Sequence, residues 1–166
     1  MGKSTLSVIG RTAKRAVVGS VKGTGNMAEA VLEASRDVLL TAVDGVAQIA
    51  VAAEKAAGQV VAGGVQAAAE AGGDILMTLK AAVRGTVKGA SEVGADVGKT
   101  ALAATQAGIK AAEEVGTDAG AAMKHAVTGA IEAADEIGGD AAKAVRDVLT
   151  TSIKGAKDIV KAPFKK

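Results

Sequence analysis

The sequence predicts an all-α protein made of long amphipathic helices built from 22-residue repeats, each two units of 11. Three observations predict it. Val21, Val43, Val65, Val87, Ile109, Ile131 and Ile153 stand at intervals of 22 residues. Eleven residues make three turns at about 3.67 residues per turn, close to the α-helix's own period, so such a repeat holds one face nearly constant. The single proline, Pro163, lies near the end, and the strict alternation of a half-buried strand is absent.

The clearest two units are Ile109-Lys-Ala-Ala-Glu-Glu-Val-Gly-Thr-Asp-Ala and Ile131-Glu-Ala-Ala-Asp-Glu-Ile-Gly-Gly-Asp-Ala. The sixth position of successive units reads Asn26, Gln48, Glu70, Glu92, Glu114, Glu136 and Asp158. The next position includes Val93, Val115 and Ile137, and aspartate recurs at 74, 96, 118 and 140. On an 11-residue wheel the Val, Ile, Ala and Gly columns gather on one side and most charges on the other. That is a wide, shallow apolar face. Lys88 and Glu92, Lys110 and Glu114, and Lys154 and Asp158 are i,i+4 pairs, each expected to add about 0.2–0.5 kcal/mol. Gly94, Gly116 and Gly138 fall on the apolar side of the wheel, and Gly63, Gly85 and Gly129 across from it. Each glycine costs a helix roughly 1 kcal/mol against alanine. The glycines therefore either let two backbones or a surface approach closely, or keep the helix marginal until it meets a partner.

Taken in order, residues 1–20 form a basic lead-in, 21–160 the repeat array and 161–166 a basic tail. Within the array, 21–42 carries the larger Leu32, Leu39 and Leu40, and 43–69 holds only Asp44, Glu54 and Lys55 as charges. Gly63-Gly64 and Gly72-Gly73 are the candidate breaks at which helices would fold back into hairpins. Without breaks the array would be a rod roughly 200 Å long at about 1.5 Å per residue.

Composition limits what such helices can bury. The chain has 166 residues, with 39 alanines, 22 glycines and Phe164 as its single aromatic residue. Stabilisation scales with apolar area at about 25 cal/mol per Å², so an Ala/Val core is weak for its length. Stability must come from close helix packing, from self-assembly or from a non-protein surface. The absence of cysteine excludes disulfides and thiolate metal sites. Net charge is +2, unevenly spread: residues 1–28 carry +5, residues 152–166 carry +4 and the middle −7. Lys3, Arg11, Lys14, Arg15, Lys22, Lys161, Lys165 and Lys166 are the basic terminal contacts this predicts, with an anionic lipid or polyanion, or with the acidic body of another copy. No continuous apolar core marks a secretory signal, and no segment reaches the roughly 18 apolar residues of a spanning helix. A cytoplasmic location, peripheral to a membrane or granule, fits. An organelle presequence in the acid-poor N-terminus is the alternative, less favoured because the repeat register already begins at Val21.

No motif carries chemistry. Gly98-Lys99-Thr100 resembles the end of a phosphate loop, but Gly94 is one residue too near and no strand precedes it. His125, the lone histidine, sits between Lys124 and Ala126 on the polar side, as a solvated helical residue would. The acids at the sixth and tenth columns form a ladder, whereas catalysis needs one special pair. No catalytic residue, cofactor site or metal site is expected, and neither nucleic acid nor a small-molecule substrate.

Lys88-Gly89-Ala90-Ser91-Glu92-Val93 resembles the synuclein Lys-xxx-Glu-Gly-Val pattern with its glycine displaced to 94. Thr86-Val87-Lys88-Gly89-Ala90 and Lys154-Gly155-Ala156-Lys157-Asp158-Ile159 are similar to perilipin repeats. In repeat style the chain also resembles exchangeable apolipoproteins, late-embryogenesis-abundant proteins and granule-coating phasins, well over 65–160 and loosely over 21–64. The resemblance implies a helix formed on a lipid or hydrophobic surface. The acidic stripe and the scarcity of bulky apolar groups argue against deep insertion. Three expectations follow: a non-enzymatic coat on a lipid or other hydrophobic surface; a self-assembling bundle, tube or filament subunit packing through Ala/Gly faces as a homo-oligomer; and a desiccation protectant.

Overall fold

The computed structural model describes residues 10–12, 14–15, 27–45 and 48–161. The chain is all-α, with no strand among the described residues. A short helical segment includes Gly10 to Thr12, Lys14 and Arg15. Seven helices follow: α1 (Met27–Val43), α2 (Ile49–Ala71), α3 (Ile75–Glu92), α4 (Val97–Glu114), α5 (Ala119–Ile137), α6 (Asp140–Ser152) and α7 (Ala156–Lys161). Val21, Lys3, Lys22, Lys165 and Lys166 lie outside the described residues.

A five-residue motif makes the turns. It reads Glu70-Ala-Gly72-Gly-Asp74, Glu92-Val-Gly94-Ala-Asp96 and Glu114-Val-Gly116-Thr-Asp118. Its glycines have φ of 72°, 74° and 92°, a left-handed conformation that costs other residues roughly 1–2 kcal/mol. Gly73, Ala95 and Thr117 then donate backwards to the carbonyls of Ala68, Ala90 and Ala112 at 2.8–2.9 Å, closing each helix as a Schellman turn. Two residues after each glycine an aspartate opens the next helix. Asp74, Asp96 and Asp118 each accept from the third N–H of that helix, on Met77, Lys99 and Ala121, at 2.9 Å. This is the N-cap bond, which satisfies a donor the helix itself cannot pair. Gly94 and Gly116 therefore do not lie on a helix face as the wheel placed them; both sit in turns. Gly138 also has positive φ, at 83°, and follows the last residue of α5. Gly63 and Gly64, a candidate break, lie inside α2, and the chain turns at Gly72-Gly73 instead.

Short turns make consecutive helices antiparallel. Among the described helices, each packs only against the next and the next but one. The helices therefore form two layers, α1, α3, α5 and α7 in one and α2, α4 and α6 in the other, with the chain crossing between layers at each turn. Packing is more extensive between next-but-one helices, which run parallel within a layer, than between consecutive ones for α1 to α5. Small residues explain the difference. A methyl group on Gly85 of α3 would overlap the Leu32 carbonyl oxygen of α1, and one on Gly129 of α5 would lie 2.6 Å from the Lys80 carbonyl oxygen of α3. Gly58 of α2 faces α4 less tightly, a methyl group there lying 3.3 Å from that of Ala107. Gly85 and Gly129 thus lie in a tight interface and not on the solvated side of the wheel.

Burial follows position in the array. α1, at the edge, buries Val31, Ser35, Leu39 and Val43, a stripe with a spacing of four. α3 has neighbours on several sides and buries Thr78, Leu79, Ala81 to Val83, Gly85 to Val87, Gly89 and Ala90. One contiguous core runs from Val31 to Ala156, mostly alanine and valine.

Substitutions at two glycines separate the turn role from the packing role. At Gly94, asparagine, which tolerates positive φ, should cost less stability than alanine. At Gly85 the order should reverse, because every added atom meets Leu32, with alanine itself costing about 1–3 kcal/mol. Urea denaturation of the four variants reads both orders. Deletion is a second test. Removing residues 75–118 joins Asp74 to Ala119 and sets Gly129 and Glu136 where Gly85 and Glu92 stood against α1. That chain should unfold cooperatively. Removing 97–118 alone places α5 in the wrong layer and should lower the melting temperature more, despite the smaller excision.

Candidate interaction surface

The outward residues of the layers are charged, and their pairing joins next-but-one helices. Lys14 pairs with Glu70, and Arg36 with Glu92; in both cases the partners are 56 residues apart. The Arg36 contact is two-pronged, its second arm at 3.1 Å. In the layer of odd-numbered helices Lys80 reaches Glu132 at 3.2 Å, Arg84 reaches Glu136, and Lys88 reaches Glu136 at 3.2 Å. Lys88 therefore pairs across to α5 and not along its own helix with Glu92. The i,i+4 ion pair that does form among the described residues is Lys143 with Asp147. The physical reason is reach: Gly and Ala bring parallel helices so close that a long side chain meets its neighbour's carboxylate readily.

These pairs line two grooves. One, of about 600 Å³, lies over α1, α3 and α5 and is lined by Glu29, Glu33, Arg36, Arg84, Lys88, Glu92 and Glu136, with Leu32 at its floor. The other, of about 470 Å³, is lined by Arg11, Lys14, Gln66, Ala69, Glu70, Glu114 and Val115. Five positions of their linings match at an offset of 22: Arg11 and Glu33, Lys14 and Arg36, Gln66 and Lys88, Glu70 and Glu92, Glu114 and Glu136. One groove is thus built twice with different charges. Where Lys88 and Arg84 neutralise Glu136, the matching Gln66 and Ala62 leave Glu114 without a cation among the described residues.

The pairing tunes the charges in the expected sense. The hydrogen bond from Arg36, and then its charge, holds the Glu92 carboxyl below the usual glutamate range, with the Lys88 charge acting the same way and burial opposing. Arg36 is raised in turn, chiefly by the same hydrogen bond. Both side chains are partly exposed, so the pair is a weak stabiliser. Among the described residues neither groove is lined by serine, threonine or cysteine, and the bases and acids of each are on facing helices.

The structure places the predicted apolar face mainly indoors. Val43, Val65, Val87 and Ile131 are buried, and Ile109, Ile153, Val93, Val115 and Ile137 are half-buried against the same core. Among the basic terminal residues, Lys14 is paired with Glu70, and Arg11, Arg15 and Lys161 are exposed. His125 is half-buried, not solvated. Its Nδ1–H donates to the Ala121 carbonyl one turn back at 3.0 Å. At the start of α4 the Asp96 carboxylate already takes the Lys99 N–H, where a phosphate would need that donor. Sequence reasoning missed Lys80, Arg84 and Arg36 as partners of α5 and α3. The available signal was the recurrence of base and acid at separations of 48 to 56 residues.

No family model, curated protein or solved structure matches this chain. No described helix is long and apolar enough to cross a membrane, and no group of His, Cys, Asp or Glu among the described residues could hold a metal ion.

The lowered Glu92 pKa has a signed consequence. A carboxyl whose folded pKa lies below its unfolded value stabilises the fold above the unfolded value and loses that contribution as pH falls through the folded one. Glu92→Gln should therefore be less stable than wild type at pH 7, by at most about 1 kcal/mol. The difference should close as the pH falls through and below the carboxylate range, as read from urea midpoints across that range.

Proposed function

We propose that this chain is a non-enzymatic structural protein: a helical solenoid whose unit is one helix and one turn, 22 residues long. In such an array each unit contacts only near neighbours, and stability grows along the chain. The observation that carries the reading is the fate of the apolar face. Val65, Val87 and Ile131 are buried among helices of their own kind, and the large apolar side chains left exposed among the described residues are only Ile49 and Val51. The outer surface is an ion-paired ladder, suited to scaffolding and to contact with other copies or charged partners, and poorly suited to chemistry.

Coating a lipid or other hydrophobic surface is the second reading. What favours it is the thinness of the core: Ala53, Ala57, Ala82, Ala104, Ala126 and Ala134 fill much of it. Alanine faces bury little area, so exchanging a helix partner for a lipid surface costs less than it would in a Leu-rich core.

Far-UV circular dichroism, small-angle scattering and sedimentation of lipid-free protein test the first reading. The expected result is a strongly helical, compact species with a cooperative thermal transition. Scaffolding by self-association adds a concentration-dependent rise in mass. A largely unfolded chain in water that gains helix only with vesicles or on drying would replace the solenoid with the coat or the protectant.

A further inference from the structure

The last unit of the array departs from the units of α3 to α5 in four ways. First, its entry is uncapped by a side chain: α6 follows Gly139, where α3, α4 and α5 follow Asp74, Asp96 and Asp118. Gly138 and Gly139 both have positive φ, at 83° and 59°, so two successive residues with wide backbone freedom precede the helix. Second, it is thinly anchored. α6 buries only Val145 and Leu149, and α7 only Ala156. Third, its helix is broken at Ile153 to Gly155, where Gly155 has φ of 93°. Fourth, its charge is opposite. Residues 27–139 hold eight bases against fifteen acids, net −7, whereas 140–161 hold five bases against three acids, net +2.

The residues this unit turns inward are bulkier than those of α4, beside it in the same layer. Val145, Val148, Leu149 and Ile153 recur at helical spacing, and Ile159 and Val160 continue the face on α7. α4 buries glycine, threonine and alanine instead. Lys154, Lys157 and Lys161 are exposed on the other side, with no carboxylate at ion-pair distance among the described residues. A bulky apolar stripe backed by lysines is the pattern of a helix that lies in a membrane interface. Stable binding there takes an apolar and an electrostatic signal together. The main polar tie to the rest of the array is the two-pronged contact of Arg146 with Asp135 on α5, at 2.7 and 3.1 Å.

We propose that residues 140–161 swing out from the array about Gly138-Gly139 and bind an anionic lipid bilayer. Their Val/Leu/Ile stripe lies among the headgroups and acyl chains, while α1 to α5 stay folded. This goes beyond the scaffold reading and narrows the coat reading to one unit. Residues 27–139, with their net charge of −7, are repelled by the same surface.

The test uses the full chain with vesicles of phosphatidylcholine alone and of phosphatidylcholine with phosphatidylglycerol, read by co-flotation and by hydrogen exchange. Wild type should bind the anionic vesicles and not the neutral ones. Exchange protection on α5 should fall where α6 and α7 covered it, and that of α2 and α3 should persist. Lys154→Glu/Lys157→Glu, both exposed, should weaken binding at least tenfold with an unchanged lipid-free spectrum. Asp135→Asn, which loosens the tie, should raise affinity severalfold. No binding, equal binding to both vesicles, indifference to the lysine reversal, an Asp135→Asn affinity equal to wild type, or loss of protection through α2 and α3 would each overturn the proposal. Any of those leaves the solenoid standing if the lipid-free protein is helical and compact. An unfolded lipid-free chain removes the solenoid itself.

Discussion

Close approach between parallel, next-but-one helices is the constraint on which the rest of this structure depends. Gly85 against the Leu32 carbonyl, Gly129 against that of Lys80 and Gly58 against Ala107 set how near two backbones come. With almost no aromatic residues and few leucines, the core cannot gain stability from bulk. It gains it from the number of atoms brought into contact at short range, since dispersion is weak per pair and falls off steeply with a gap. Glycine weakens each helix by itself and strengthens each interface, so the array holds together through tertiary contact more than through helix propensity.

Electrostatics follows from that spacing. Once the backbones are close, Arg36, Lys80, Arg84 and Lys88 reach carboxylates on the second helix along, Lys88 taking Glu136 instead of Glu92 one turn away on its own helix. Each bridge is partly exposed and individually weak. Their joint effect is registry: sliding one helix by a turn would separate several pairs together. Where the base is missing, as at Gln66 and Ala62, Glu114 stays open to solvent. The two grooves differ for that reason, although their linings share one pattern at an offset of 22 residues.

Much of the local structure was legible. The all-α class could be read from the spacing of Val and Ile. The turns could have been read too. Glu-x-Gly-x-Asp at 70–74, 92–96 and 114–118 joins a C-terminal glycine to an N-cap aspartate, and each half of that signal has a local physical cause. Folding the columns onto a continuous wheel hid it, because a wheel assumes that the helix never stops. His125 was misplaced for a related reason. A wheel has one inside, whereas a helix in a two-layered array has neighbours on several sides, so polar columns are partly covered as well.

The amino-acid sequence by itself determined where helices begin and end and which residues repeat in phase. Those outcomes depend on φ preference, capping and side-chain volume within a few residues. Only the tertiary structure decided what the repeated face meets. The same Val/Ala/Gly stripe suits a lipid surface, another copy or another helix of the same chain, because burial of apolar area is non-directional. The choice among them rests on contacts between residues about 50 positions apart: Leu32 with Gly85, Arg36 with Glu92 and Lys80 with Gly129. No local pattern encodes such contacts, since they exist only once the turns have brought every second helix side by side.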